Sequence, residues 1–152
     1  MFEALNPLEA LMEEAVRDSS RVNDFYKLLL DTELIILAPE AKMEPGRRRA
    51  LKYKEAVNIA VVEFQGRKWH PAFTAQKRVE AYIKEPETCL SAKARNLFDM
   101  LPGSNFWINP LSECQKPMTA EEIAKLMSGE MFVAPAAGPS KAVGKKSGKA
   151  RT

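Results

Sequence analysis

The chain has 152 residues, 45% of them hydrophobic and 28% charged, a composition typical of one globular domain. Its longest apolar runs are far shorter than the roughly 20 residues of a membrane-spanning helix, so we expect no such helix. The net charge of +3 is uneven, because the last twelve residues carry five lysines or arginines and no acid, so it argues only weakly for a nucleic-acid partner.

The first sixteen residues contain acids and no basic lead or small-residue cleavage site, so we expect no signal peptide. Cys89 and Cys114 lie in unrelated contexts, with neither a Cys-x-x-Cys pair nor a Cys/His set around them. This cysteine usage favours a reduced, cytoplasmic compartment.

Two amphipathic helices are predicted at the start of the chain. The segment Asn6–Glu9 has a capping residue, a proline at the first helical position and a glutamate three residues after the cap. Apolar residues recur at helical spacing up to Val16, and a second stripe runs from Val22 to Leu30 after a break at Asp18–Ser20. The short connection predicts an N-terminal helical hairpin.

A short apolar run, Leu34–Leu37, predicts a central strand. The pattern then lapses from Glu40 to Ala56, where Pro45-Gly46 indicates a turn. This stretch reads as a loop and contains the candidate nucleic-acid-binding residues Arg47, Arg48, Arg49, Lys52 and Lys54.

The segment Val57–Ile83 predicts strand, tight turn, strand and helix. The run Val57–Phe64 suits a strand covered on both faces, and Gln65-Gly66 suits a two-residue hairpin turn. Bulky residues at 69, 71 and 73 place one side of the returning strand inward, and Pro71 predicts an edge or bulge because it lacks an N–H. Thr74 is the expected cap of the next helix.

Further along, we predict strands at Thr88–Ala92 and Asn105–Asn109 with a helix at Ala94–Leu101 between them. A capping box at Thr119–Glu122 starts the last helix. The sequence thus predicts an α+β fold with one mixed or antiparallel sheet of about four to five strands packed by helices. The domain spans residues 1–134, and 135–152 form a flexible basic tail, since this stretch is rich in Ala, Gly, Pro, Ser and Lys.

No catalytic constellation emerges from the sequence. His70 is the only histidine, and no second metal ligand accompanies it. Gly144–Ser147 fails the phosphate-loop spacing and has no preceding strand. We therefore expect a protein that is not an enzyme and that uses no metal and no cofactor.

Trp69 and Trp107 lie on predicted strands whose other faces already have apolar residues. They either pack in the core under a helix or point outward as an adhesive surface. In the second case, Trp69, His70 and Trp107 are the candidate protein-binding residues near the sheet edge.

The order of several motifs resembles the N-terminal domain of the SseB family, the enhanced serine sensitivity type. The residues that carry this resemblance are FYKLLLDTELIIL (25–37), PAFTA (71–75), NLFDMLP (96–102), WINP (107–110) and MTAEEIAKL (118–126), together with the Gly66 turn. The resemblance implies a cytoplasmic α+β domain of bacteria without an established enzymatic activity or catalytic residues, often paired with a second C-terminal domain, which is not seen here.

The sequence therefore predicts a non-enzymatic protein-protein interaction domain of the bacterial cytoplasm, with another protein or a second copy as partner and no membrane. The alternative is sequence-independent nucleic-acid binding through the 47–54 loop and the tail, driven by phosphate contacts. A charge run is more often a solvated face, and Tyr53 alone offers little base stacking.

Overall fold

The computed structural model describes residues 3–39, 47–55 and 58–132. Three predictions lie outside these residues: the tail 135–152, the turn at Pro45-Gly46, and the first residue of the strand predicted from Val57.

The structure is α+β, as predicted, and its described part contains five α-helices and seven strands. The helices are α1 (Pro7–Arg17), α2 (Val22–Asp31), α3 (Gln76–Tyr82), α4 (Ala94–Met100) and α5 (Ala120–Ser128). The strands are β1 (Glu33–Leu37), β2 (Arg48–Ala50), β3 (Val62–Phe64), β4 (Arg67–Phe73), β5 (Cys89–Lys93), β6 (Asn105–Ile108) and β7 (Lys116–Met118). Short 3₁₀ turns follow α1 and α5, at Ser19–Arg21 and Glu130–Phe132.

The sheet has more strands than the sequence predicts. The two extra strands are β2, within the predicted loop, and β7, each three residues long and so too short to show a period of two. Only the end of the run predicted from Val57 to Phe64 forms a strand, at β3. The prediction that this strand is covered on both faces is wrong, because β3 pairs only with β4 and its Phe64 is exposed.

All seven strands form one mixed sheet in the order β2-β5-β1-β4-β6-β7, with β3 also paired to β4. The pairs β2–β5 and β4–β6 are parallel and the others are antiparallel. On one of its two sides β4 pairs with β6, and on the other it pairs first with β3 at residues 67–69 and then with β1 at residues 72–73. Pro71 lies at this change of partner. The prediction that it marks an edge strand is wrong, because β4 is central, but its missing N–H falls where the strand has the fewest partners.

Helices cover the two faces of the sheet unequally. On the first face, α1, α2, α4 and α5 contribute to the larger core, which includes Leu34, Ile36 and Phe106. On the second face, α3 packs Val79 against Ile35 and Phe73 in a smaller core. This smaller core lies over β1, β5 and the end of β4. The rest of the second face is formed by β3, β6 and β7, and no described helix packs a core against it.

Candidate protein-binding surface

The two tryptophans lie together on the second face of the sheet. Trp69 of β4 shares its face with Phe73, and the register pairs Pro71 of β4 with Trp107 of β6. Because directly paired residues point to the same side, the two indoles are neighbours, with ring centroids 6.2 Å apart.

The β3–β4 hairpin adds a third aromatic ring. Gln65 and Gly66 have φ values of 51° and 78°, as a two-residue type I′ turn requires. This turn returns the chain with Phe64 directly opposite Arg67 and places the Phe64 ring 5.0 Å from that of Trp107. Phe64, Trp69, Trp107 and Pro117, which pairs with Trp107 from β7, are named here the aromatic surface.

The members of the aromatic surface differ in exposure. Trp69 and Trp107 are only 8% and 9% exposed, and Phe64 is 45% exposed. Each indole N–H has an acceptor: Trp69 Nε1 donates to the Phe64 carbonyl at 3.3 Å, and Trp107 Nε1 donates to Gln115 Oε1 at 2.9 Å. The tryptophans are therefore buried, so the alternative in which they point outward is wrong, and Phe64 is the exposed ring of the aromatic surface. Its position beside the turn was the only sequence signal for this exposure.

His70 does not join the tryptophans. It alternates with Trp69 along β4, so its ring lies on the first face, 5.3 Å from that of Phe106. Its Nδ1 is 3.0 Å from the carbonyl oxygen of Ala60. Of the three candidate protein-binding residues, the structure thus brings only Trp69 and Trp107 together.

The basic segment is divided between the two faces. In β2, Arg48 pairs with Cys89 and Arg49 with Leu90, whose side chains belong to different cores. Arg48 Nη1 donates to Gln76 Oε1 on α3 at 3.2 Å, whereas Arg49 makes two hydrogen bonds to the Glu55 carboxylate, at 2.6 and 3.0 Å.

Three further residues complete this segment, and all three are exposed: Arg47, Lys52 and Lys54. The Lys54 ammonium lies 5.6 Å from the centre of the Tyr53 ring. Nucleic-acid binding by this segment and the tail stays a prediction.

The pairing of Arg49 with Glu55 can be tested by titration. Hydrogen bonds from the Arg49 guanidinium and from the Lys52 backbone N–H lower the pKa of Glu55 from 4.5 to about 2. Replacing Arg49 with methionine should raise this pKa toward 4.5, because the carboxylate loses its main partner. The Glu55 carboxyl carbon shift, followed by NMR against pH, measures the change. An unchanged pKa in the variant would show that the two side chains do not pair in solution.

A family model described as SseB protein N-terminal domain matches residues 8–125. The chain belongs to the SseB family. Neither the curated proteins nor the solved structures searched gave a match. The SseB resemblance of the sequence motifs is thereby confirmed.

Two of the SseB-like motifs meet beside the aromatic surface. The PAFTA and WINP segments end β4 and β6, which are parallel, so Thr74 and Asn109 lie side by side. Asn109 Oδ1 accepts from the Thr74 backbone N–H at 3.1 Å, and Asn109 Nδ2 donates to the Thr74 hydroxyl at 2.8 Å. Thr74 was expected to cap α3, but Ala75 holds that position, and the Thr74 hydroxyl donates to Glu9 instead.

Glu9 lies at the centre of a polar network buried beneath these strand ends. Its side chain is fully buried and receives hydrogen bonds from Arg78 Nη2 at 2.7 Å and Arg78 Nε at 3.0 Å. Burial alone would raise the pKa of Glu9, but the hydrogen bonds from Arg78, Thr74 and the Leu5 backbone N–H outweigh burial and lower it. The sequence identified Glu9 only as part of a helix start. This network, which also includes Asn6 through a bond to the Thr74 carbonyl, fixes α1 to the SseB domain's sheet.

Among the residues described, no three His, Cys, Asp or Glu side chains come together as metal ligands. No helix within those same residues is long and apolar enough to cross a membrane.

Proposed function

We propose that this SseB domain is a non-enzymatic protein-protein interaction module of the bacterial cytoplasm, and that the aromatic surface is its contact site. The observation that carries the proposal is the Phe64 ring, which is 45% exposed and lies 5.0 Å from the Trp107 ring, on a part of the second face that no described helix covers. Aromatic residues of this kind dominate binding energy in protein interfaces.

The rigidity of the aromatic surface supports this role. Both indoles are held by hydrogen bonds and by packing against each other, so little side-chain freedom is lost when a partner binds. Pro117 beside Trp107 is exposed and adds apolar area without adding rotatable bonds. A partner would therefore meet a surface that is already in its bound arrangement.

The state of the nucleophilic candidates supports a non-enzymatic role. Cys89 and Cys114 are both buried and unpaired with each other, and burial raises the pKa of each thiol. A catalytic cysteine needs the opposite shift, toward the thiolate. His70 has its Nδ1 engaged by a backbone carbonyl and lies on the other face from the aromatic surface. Free, buried thiols also fit a reducing compartment.

Replacing Phe64 with serine should weaken binding of a protein partner by tenfold or more, because the exposed ring of the aromatic surface is lost. A photo-crosslinking amino acid at position 64, used in cells of the source organism, identifies the partner by mass spectrometry. Titration calorimetry with that purified partner then compares wild type and Phe64→Ser. Val16→Ser is the matched control, since Val16 is 81% exposed but lies on α1, away from this surface.

The proposal is contradicted if crosslinks from position 64 match those from position 16. It is also contradicted if the purified partner binds Phe64→Ser and wild type with equal affinity.

A further inference from the structure

The described sheet has three strands with an unpaired edge, and they differ in how well that edge is protected. β7 contains Pro117, which lacks an N–H in the middle of a three-residue strand. β2 carries Arg48 and Arg49, charged side chains that discourage strand pairing. β3 has neither protection, since it pairs only with β4 and contains no proline and a single charge, on Glu63.

The hairpin geometry shows which backbone groups of β3 face outward. In a two-residue hairpin, the pair next to the turn, here Phe64 and Arg67, exchanges both of its hydrogen bonds. The next pair, Glu63 and Lys68, does not exchange hydrogen bonds. The N–H and C=O of Glu63 therefore point away from β4, along the unpaired edge.

We propose that the edge of β3 binds an extended segment of a partner protein as an additional strand. The inference rests on the proposed function, because the added strand would run beside the aromatic surface. Its backbone would bond to the N–H and C=O of Glu63. The residue of the added strand that lies opposite Glu63 is its central residue. The residues before and after that one would lie on the same face as Val62 and Phe64 and pack on them, so they must be apolar.

The charge on β3 identifies the occupant. A second copy paired antiparallel and centred on this strand would set Glu63 opposite its own copy, and like charges directly opposite are destabilising. A partner segment with lysine or arginine at that position removes the repulsion. The partner chemistry is thus an extended peptide with a basic residue between two apolar ones.

A random twelve-residue peptide library displayed on phage, panned on the full chain, tests the proposal. We expect enriched peptides to alternate apolar and basic residues. Synthetic copies of them should lose at least tenfold in affinity for Glu63→Pro, which removes the outward N–H without touching the β3–β4 hydrogen bonds. Glu63→Ala keeps that N–H, so it should lose much less.

A second measurement needs no variant. Amide hydrogen exchange at Glu63 in the wild-type protein should slow at least tenfold when an enriched peptide is bound, while Phe64, already bonded within the hairpin, changes little.

The outcomes separate the two proposals. Strand addition is overturned if the peptides bind Glu63→Pro like wild type and leave the Glu63 amide unprotected from exchange. If those same peptides lose affinity for Phe64→Ser, the proposed function still stands. A library that yields no enriched peptide also overturns strand addition, and position-64 crosslinking then decides the proposed function separately.

Discussion

Replacing Arg78 with methionine should destabilise the domain by about 3 kcal/mol, because it leaves the Glu9 carboxylate buried without its cation. Methionine keeps the apolar stem of the side chain, so the loss is electrostatic rather than a loss of packing. For a domain of this size the change corresponds to a fall in Tm of about 10 °C. Urea denaturation followed by circular dichroism gives the free energy of unfolding.

Arg95→Met is the matched control. Arg95 also pairs with a carboxylate, Asp31, at 2.8 Å, but both side chains are exposed, so no measurable change in stability is expected. If Arg78→Met were as stable as Arg95→Met, the buried ion pair would have no stabilising role.

The same pair makes stability depend on pH. The pKa of Glu9 is lower in the folded chain than its ordinary value of 4.5, so the folded state favours the ionised form. This contribution is fully present above pH 4.5 and is lost as the pH falls through the folded pKa. The difference in stability between wild type and Arg78→Met should therefore shrink in acid.

Asn109→Ala is expected to cost about 3 kcal/mol, from two separate causes. Its side chain bonds both the backbone N–H and the hydroxyl of Thr74, and a buried N–H left without an acceptor costs about 1–3 kcal/mol. Its φ of 51° is in the left-handed region, where alanine costs about 1 kcal/mol more than glycine.

Asn109→Gly separates these causes, because glycine accepts the backbone conformation but cannot make the hydrogen bonds. We expect Asn109→Gly to be about 1 kcal/mol more stable than Asn109→Ala and still clearly less stable than wild type, by the same urea denaturation. Equal stability of the two variants would show that the backbone conformation contributes nothing.

Local patterns predicted local structure well. Thr119 caps α5 as predicted, with its Oγ1 accepting from the Glu122 N–H, and Gly129 ends that helix in the left-handed conformation. The Glu122 carboxylate, which a full capping box would turn back toward Thr119, instead accepts from the Tyr26 hydroxyl and pairs with Lys116 at 3.0 Å. The Gln65-Gly66 turn is likewise as predicted. In each case the residues that decide the structure are at most a few positions apart.

Features set by distant contacts were missed. Thr74 has the residue type of a helix cap, but Glu9, 65 positions away, takes its hydroxyl. At the aromatic surface, the sequence placed Trp69 and Trp107 on strands whose other faces already have apolar residues. It could not show that the Phe64 ring would lie beside that of Trp107. That contact depends on the parallel pairing of β4 with β6, which no local pattern reveals.

The polar network also bears on how the chain acquires its fold during synthesis. Helix α1 is synthesised before the segments that hold it, because Glu9 gains Thr74 and Arg78 only after 65 and 69 further residues have been added. Asn109, which orients Thr74, follows 35 residues after that threonine. Until then the Glu9 carboxylate stays hydrated, so α1 is held to the sheet only after these later residues have been made.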